Sequence, residues 1–333
     1  MRYKLETLAF LWISLLASAM GQQQSKAEPL PRALALSSTT LTQVPVFGWS
    51  DDVQCDGSGN LYFHAPGLTY NRSDIFELSA DGGRGKTFSL PDEMAQKTAF
   101  VGFSVSSGGS LRVLAESRKG VLAFTFGRDG RVTSETSLEI PEDVTVNAFA
   151  DSESGSVVVV GYFNKRAKGA IQGKPYAALF APSGKVQTVF SELKGKVELR
   201  DVHDKLMDGA AAVGEGGTIY LLRSGEVIVL SASGTIQRHM RFSQPVGSAA
   251  TQLRLSEGLL SVTLSTLPKP GSGNKMLKRQ YLVLNSFTGD EYGLYEPSEE
   301  LGNMDVCFSR QNGFTFIRTT ETGVLKLMQA TMK

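Results

Sequence analysis

Four acidic or amide residues, Asp52, Asn147, Asp208 and Asp305, each stand seven to nine residues before a turn glycine: Gly59, Gly155, Gly217 and Gly313. If those turns end equivalent strands around one axis, the common offset brings the four side chains to a common height. Oxygen ligands from several strands suit a hard divalent cation, Ca²⁺ or Mg²⁺. Three carboxylates facing one cavity repel one another, and a cation would compensate them. No Lys or Arg occupies the same offset in the other repeats. A cation held there would polarise a carbonyl or activate a water, which is the chemistry of a metal-dependent hydrolase or lactonase. The competing reading is structural: these side chains cap strand ends or hydrogen-bond the loops between repeats.

A second candidate site is basic. Lys165, Arg166, Lys168 and Lys174 crowd one connection, and Lys269, Lys275, Lys278 and Arg279 crowd another. Asp92, Glu93, Glu142, Asp143, Glu299 and Glu300 fall in the links between repeats. Tyr70 and Tyr176 flank the long connections and offer rings on which a sugar or peptide could stack. Such a mixed face fits a protein or carbohydrate ligand; the plain alternative is solvated charge that keeps long loops soluble. Other chemistries find no support. His64, His203 and His239 form no HExxH or HxH arrangement, and no GxSxG elbow, phosphate loop or dinucleotide fingerprint is present.

These candidates must be positioned by elements, and the elements repeat. A glycine turn followed by a β-rich run recurs as DGSGNLYF, SSGGSLRVL, DSESGSVVVV, GEGGTIYLL, SEGLLSVTL and SRQNGFTFI, with turn glycines Gly59, Gly109, Gly155, Gly217, Gly258 and Gly313. Between them fall strand–turn–strand phrases centred on Gly82, Gly130, Gly184, Gly234 and Gly289. Pro45, Pro91, Pro141, Pro245 and Pro297 close the units, as residues that cannot donate to a ladder do. The strands are rich in Val, Leu, Phe and Tyr, and no segment sustains a 3.6-residue apolar period. Four-stranded units of this length repeated six times predict a six-bladed β-propeller of antiparallel blades.

The last unit ends with its third strand at Val324–Met332, while Ala33–Val44 precedes the first unit without a partner. The expectation is that this N-terminal segment supplies the outer strand of the last blade, which also pairs an open edge. Cys55 and Cys307 fall on the inner strands of units one and six, neighbours in a closed ring. They read either as a disulfide across that seam or as two buried thiols.

The phrase DVQCDGSGNLYF, Asp52–Phe63, resembles the blade opening V-x-x-D-x-x-G-N-x-Y of NHL-repeat propellers. The chain is similar to the six-bladed propellers of exported bacterial proteins, NHL-repeat and gluconolactonase-type families among them. The resemblance is one of fold, since most later units lack counterparts of Asp56 and Asn60. Gluconolactonase-type propellers hold a metal with carboxylate and amide side chains near the channel mouth. The resemblance therefore implies a comparable place for Asp52, Asn147, Asp208 and Asp305, with no unit supplying the matching glutamate.

Residues 1–19 read as a signal peptide. Arg2 and Lys4 precede an uncharged run from Thr7 to Met20, and Ala17-Ser18-Ala19 is a small-x-small cleavage site. That run is too short for an ordinary membrane-spanning helix, which needs about 20 residues, and no later stretch approaches that length. Residues 20–32 are expected to form a polar linker and residues 33–333 the propeller. The formal net charge of +1 offers no electrostatic reason to bind nucleic acid. Two function classes follow: a periplasmic or extracellular binding module acting through its loop-bearing face, and a metal-dependent hydrolase or lactonase with its site at the channel mouth.

Overall fold

Strands buried on both faces read as unbroken apolar runs, and Val157-Val158-Val159-Val160 shows why here. Val157 and Val159 pack toward the preceding sheet, and Val158 and Val160 toward the following one. The computed structural model describes residues 30–45, 53–66, 73–106, 108–152, 154–163, 175–190, 211–223, 225–266, 278–302, 305–311, 313–320 and 324–332.

The first two strands among the described residues are β1 (Arg32–Ala33) and β2 (Ala35–Pro45). Blade 1 is β3 (Val53–Cys55), β4 (Leu61–Pro66), β5 (Ser73–Leu78) and β6 (Arg84–Ser89). Blade 2 is β7 (Thr98–Val105), β8 (Leu111–Ser117), β9 (Gly120–Phe126) and β10 (Val132–Leu138). Blade 3 is β11 (Val144–Asp151), β12 (Val157–Phe163), β13 (Pro175–Phe180) and β14 (Val186–Val189). Blade 4 is β15 (Ala211–Val213), β16 (Ile219–Arg223), β17 (Glu226–Leu230) and β18 (Ile236–Arg241). Blade 5 is β19 (Ser248–Ser256), β20 (Leu259–Thr266), β21 (Lys278–Asn285) and β22 (Glu291–Glu296). Blade 6 is β23 (Asp305–Ser309), β24 (Gly313–Thr319) and β25 (Val324–Thr331), completed by β2.

Within each blade the strands pair antiparallel, in chain order except where β2 completes blade 6. The first strands touch in the cycle β3, β7, β11, β15, β19, β23 and back to β3, so they form the inner ring. Six apolar clusters fill the six blade-to-blade interfaces, from Tyr62 and Phe103 between blades 1 and 2 to Leu61 and Ile317 between blades 6 and 1. The fold is the six-bladed propeller that the repeat predicts.

The eleven turn glycines that mark the repeat have φ between +72° and +86°. Gly184 shows what that conformation does: a Cβ there would stand 1.9 Å from the Ser137 carbonyl oxygen on the outer strand of blade 2. The glycine lets the turn of blade 3 seat on its neighbour, and its carbonyl accepts from the Glu139 amide at 2.9 Å. Gly82, Gly130, Gly234 and Gly289 likewise abut the outer strand of the preceding blade.

The closure matches expectation and extends it. β2 pairs antiparallel with β25, from Ala35↔Thr331 onward. One step earlier, β1 adds in parallel to β22 of blade 5, Arg32↔Tyr295, where the other interfaces receive a glycine turn. Among the described residues two short elements depart from the all-strand reading: Asp92–Ala95, in the link between blades 1 and 2, makes a single helical turn, α1, and Glu215–Gly217, in the first turn of blade 4, makes a 3-10 turn. The acidic first turn of α1, Asp92 and Glu93, favours a helix start, although Pro91 at the N-cap supplies no side-chain hydrogen bond.

Candidate functional site

The inner strands enclose a central channel of about 880 Å³, a size typical of small-molecule sites. Four of those strands share a local distortion. On β11, Val146 faces Gly161 and Ala148 faces Val160, so Asn147 is an extra, bulged residue. The same skip falls at Val101 on β7, Thr251 on β19 and Val306 on β23. These positions lie at the offset that sequence reasoning selected, seven or eight residues before the turn glycine. A bulge locally re-aims side chains, and it sorts the predicted ligands.

Asn147 is the bulged residue itself; it is exposed and lines the channel. Asp305 stands one place before the bulge on β23, and its side chain is fully buried. There Arg254 Nη1 donates to Oδ2 and Arg254 Nη2 to the Asp305 carbonyl at 3.1 Å. Arg279 Nη1 and the Tyr281 hydroxyl donate to Oδ1 at 3.2 and 3.0 Å. Burial pushes this carboxyl up, but the charges of Arg254 and then Arg279, with hydrogen bonds from Arg254 and Tyr281, outweigh it and hold it below the usual carboxylate range. The compensation expected from a metal comes here from two guanidinium groups. Asp52 and Asp208 lie outside the described residues, and among the described residues no group of three or more His, Cys, Asp or Glu is placed to hold a metal.

The basic-face candidates also divide. Tyr70, Lys165, Arg166, Lys168, Lys174 and Lys275 lie outside the described residues. Lys278 opens β21, exposed, with its Nζ 2.9 Å from Glu296. Arg279, expected to meet ligand, is half-buried against Asp305. Tyr176 is a core residue rather than a stacking platform: it is 4% exposed and its ring meets Phe163 edge-on at 5.6 Å. Burial pushes its hydroxyl up to about 12.

The described wall of the channel is mostly uncharged. Asn147, Thr145, Gln252 and Tyr162 contribute amide, hydroxyl and aromatic groups, and Val101, Val146 and Ala212 apolar ones. Gln54 spans two blades instead, donating to the Phe103 carbonyl at 2.5 Å and accepting from the Val105 amide at 3.1 Å. Cys55 and Cys307 form a disulfide between β3 and β23, with Cα atoms 5.6 Å apart, and Cys55 lines the channel. At the turn end, Asp151 pairs with Arg112 of blade 2 at 2.5 Å, and burial, opposed by that arginine, pushes its carboxyl up to about 6. His64 stacks on Phe100 at 3.8 Å, and burial lowers its pKa against the pull of Asp74. His239 sits 3.2 Å from Glu226, and His203 lies outside the described residues.

Sequence reasoning missed Arg254, Arg112 and Gln54. The available signal was a charged or amide residue inside an apolar strand, as in Gln252-Leu253-Arg254-Leu255 on an inner strand and Leu111-Arg112-Val113-Leu114 on the second strand of a blade. Such a group requires a partner across the blade interface.

No protein-family model matches the sequence, and no curated relative does. Solved structures match by fold. A member of the DUF4221 family from Bacteroides vulgatus shares 9% identity over 90% of this chain and 98% of its own, with a TM-score of 0.60. A protein from Bacteroides fragilis, provisionally described as exported, shares 10% identity over 92% and 98%, with a TM-score of 0.55. A propeller provisionally described as a gluconolactonase shares 14% identity over 89% and 94%, with a TM-score of 0.50. At these identities the likeness is one of fold: the chain is a six-bladed β-propeller.

Proposed function

We propose that this chain is an exported binding module that takes a protein or carbohydrate ligand at the loop-bearing face and channel mouth. Asp305 carries the reading: its charge is committed to joining blades 5 and 6 through Arg254 and Arg279. Beside it the described channel wall offers neutral hydrogen-bonding groups, among them Asn147 and Gln252, which suit a polar, uncharged ligand surface. Tyr70, Lys165, Arg166, Lys168, Lys174 and Lys275 are the proposed contacts on the loops, with Lys278 beside them. Export rests on the signal-like residues 1–19 and agrees with the description of the Bacteroides fragilis neighbour. Among the described residues no helix is long and apolar enough to cross a membrane.

Elemental analysis of the purified mature protein, paired with a glycan and peptide binding screen, tests this reading. The expected result is saturable ligand binding that weakens when Lys165, Arg166 and Lys168 are changed to Ala, without a stoichiometric cation. One Ca²⁺ or Mg²⁺ per chain, lost on Asp52→Asn or Asp208→Asn, would replace it with the metal-dependent hydrolase.

A further inference from the structure

The strand that completes blade 6 is held unlike the other outer strands. β6, β10, β14, β18 and β22 each follow their neighbour in the chain through a glycine turn, whereas β2 meets β25 from the far end of the sequence. Its ladder shifts register twice, between Leu36 and Ser38 and between Leu41 and Pro45, where each of the other outer strands shifts once. Ser37, Ser38, Thr39 and Leu41 are exposed, so the inward grip comes from Leu34, Leu36 and Thr42. β25 does not depend on the arm in the same way. Leu325, Leu327, Met328 and Ala330 are buried in the cores on its two faces, and its other edge is paired with β24.

Where a closing strand is the only lock, its release opens the ring. Here the Cys55–Cys307 bond joins β3 to β23 on the channel side. The covalent loop it closes runs from the end of β3 through the inner strands of blades 2 to 5 into β23, a closure of the ring that does not involve β2.

We propose that the N-terminal arm, β1 with β2, is an exchangeable strand. The β25 edge, with the end of β22, is then a strand-acceptor site whose other occupant is the same arm from a second copy of this chain. Strand addition takes affinity from the backbone ladder and specificity from pockets for alternate side chains. The pocket here is the cluster of Tyr281, Tyr295, Phe314 and Met328 that receives Leu34, with Leu36 packed against it. A second register mark is the Leu34 amide, which donates to the Glu296 carbonyl at 2.9 Å. An identical arm reproduces both features, and an arbitrary extended peptide reproduces only the ladder.

A protease site inserted between residues 46 and 52 lets the arm fold in place and then be cut. The oxidised, nicked protein is incubated with a labelled peptide of residues 32–45. The label is expected to enter the ring while the protein stays monodisperse. Leu34→Asp in the peptide is expected to weaken uptake by about tenfold or more, the value of one buried leucine. Uncut copies carrying two different tags are expected to co-purify after incubation together at high concentration. In a Cys55→Ser/Cys307→Ser background, the same nick is expected to cause aggregation as the arm leaves. An arm that never exchanges would overturn the proposal, as would aggregation of the oxidised nicked protein. Equal uptake of an unrelated strand-forming peptide would overturn the second copy as occupant.

Discussion

Asp305→Asn removes one charge from a cluster of one carboxylate, two guanidinium groups and a phenol. The amide is the same size and keeps an oxygen for the Tyr281 hydroxyl, so packing is conserved. What is lost is the counter-charge of Arg254, whose side chain is 13% exposed, and part of that of Arg279, which at 31% is better solvated. Breaking a buried pair by removing one partner costs about 3–5 kcal/mol. For a chain of this size that corresponds to a fall in melting temperature of roughly 5–10 °C. The folded carboxyl titrates below its unfolded value, so its stabilisation is present above the unfolded pKa and lost as pH falls through the folded one. Thermal unfolding of wild type and variant, with and without EDTA across that pH range, reads all of this. The expected pattern is a deficit at neutral pH, indifference to EDTA, and convergence of the two proteins in acid. A variant melting within about 1 °C of wild type at neutral pH would refute the ion-pair argument. So would EDTA lowering wild type to the level of the variant.

Asp151 has the opposite sign. Its carboxyl is pushed up to about 6, so its contribution is greatest below the unfolded value near 4 and is lost as pH rises through about 6. Wild-type stability relative to Asp151→Asn is expected to fall by up to about 3 kcal/mol across that window, measured by urea unfolding. Glu257 holds φ +44° in the hairpin turn of blade 5, the one non-glycine with positive φ among the described residues. Glu257→Gly is expected to raise stability by about 1 kcal/mol, since Arg310 bonds only the backbone carbonyl there. Gly184→Ala, with its Cβ 1.9 Å from a carbonyl of blade 2, is expected to cost well over the roughly 1 kcal/mol of Gly216→Ala, whose Cβ meets nothing within 4 Å. Melting both variants side by side separates the contact from the backbone cost.

The sequence by itself determined the ring and its lock. Turn glycines, terminating prolines and apolar runs are local signals, and their six-fold recurrence carries the architecture. An unpartnered strand at each end of the repeat implied the closure. Which side chains face the axis was decided only in three dimensions. A bulge moves the pattern by one residue, and one residue reverses the direction of a side chain on a strand. Asn147 thus lines the channel, whereas Asp305, picked by the same offset, is turned into the interface against Arg254, 51 residues away in sequence. Tyr176 and Arg279 sit beside exposed-looking loops in the sequence, yet one is core and the other is drawn to a buried carboxylate. The Cys55–Cys307 bond was allowed by the order of blades, and it formed because ring closure brings their Cα atoms to 5.6 Å. Periodicity reports what each residue's neighbours in the chain impose; burial and charge pairing depend on the neighbouring blade, which no local pattern encodes.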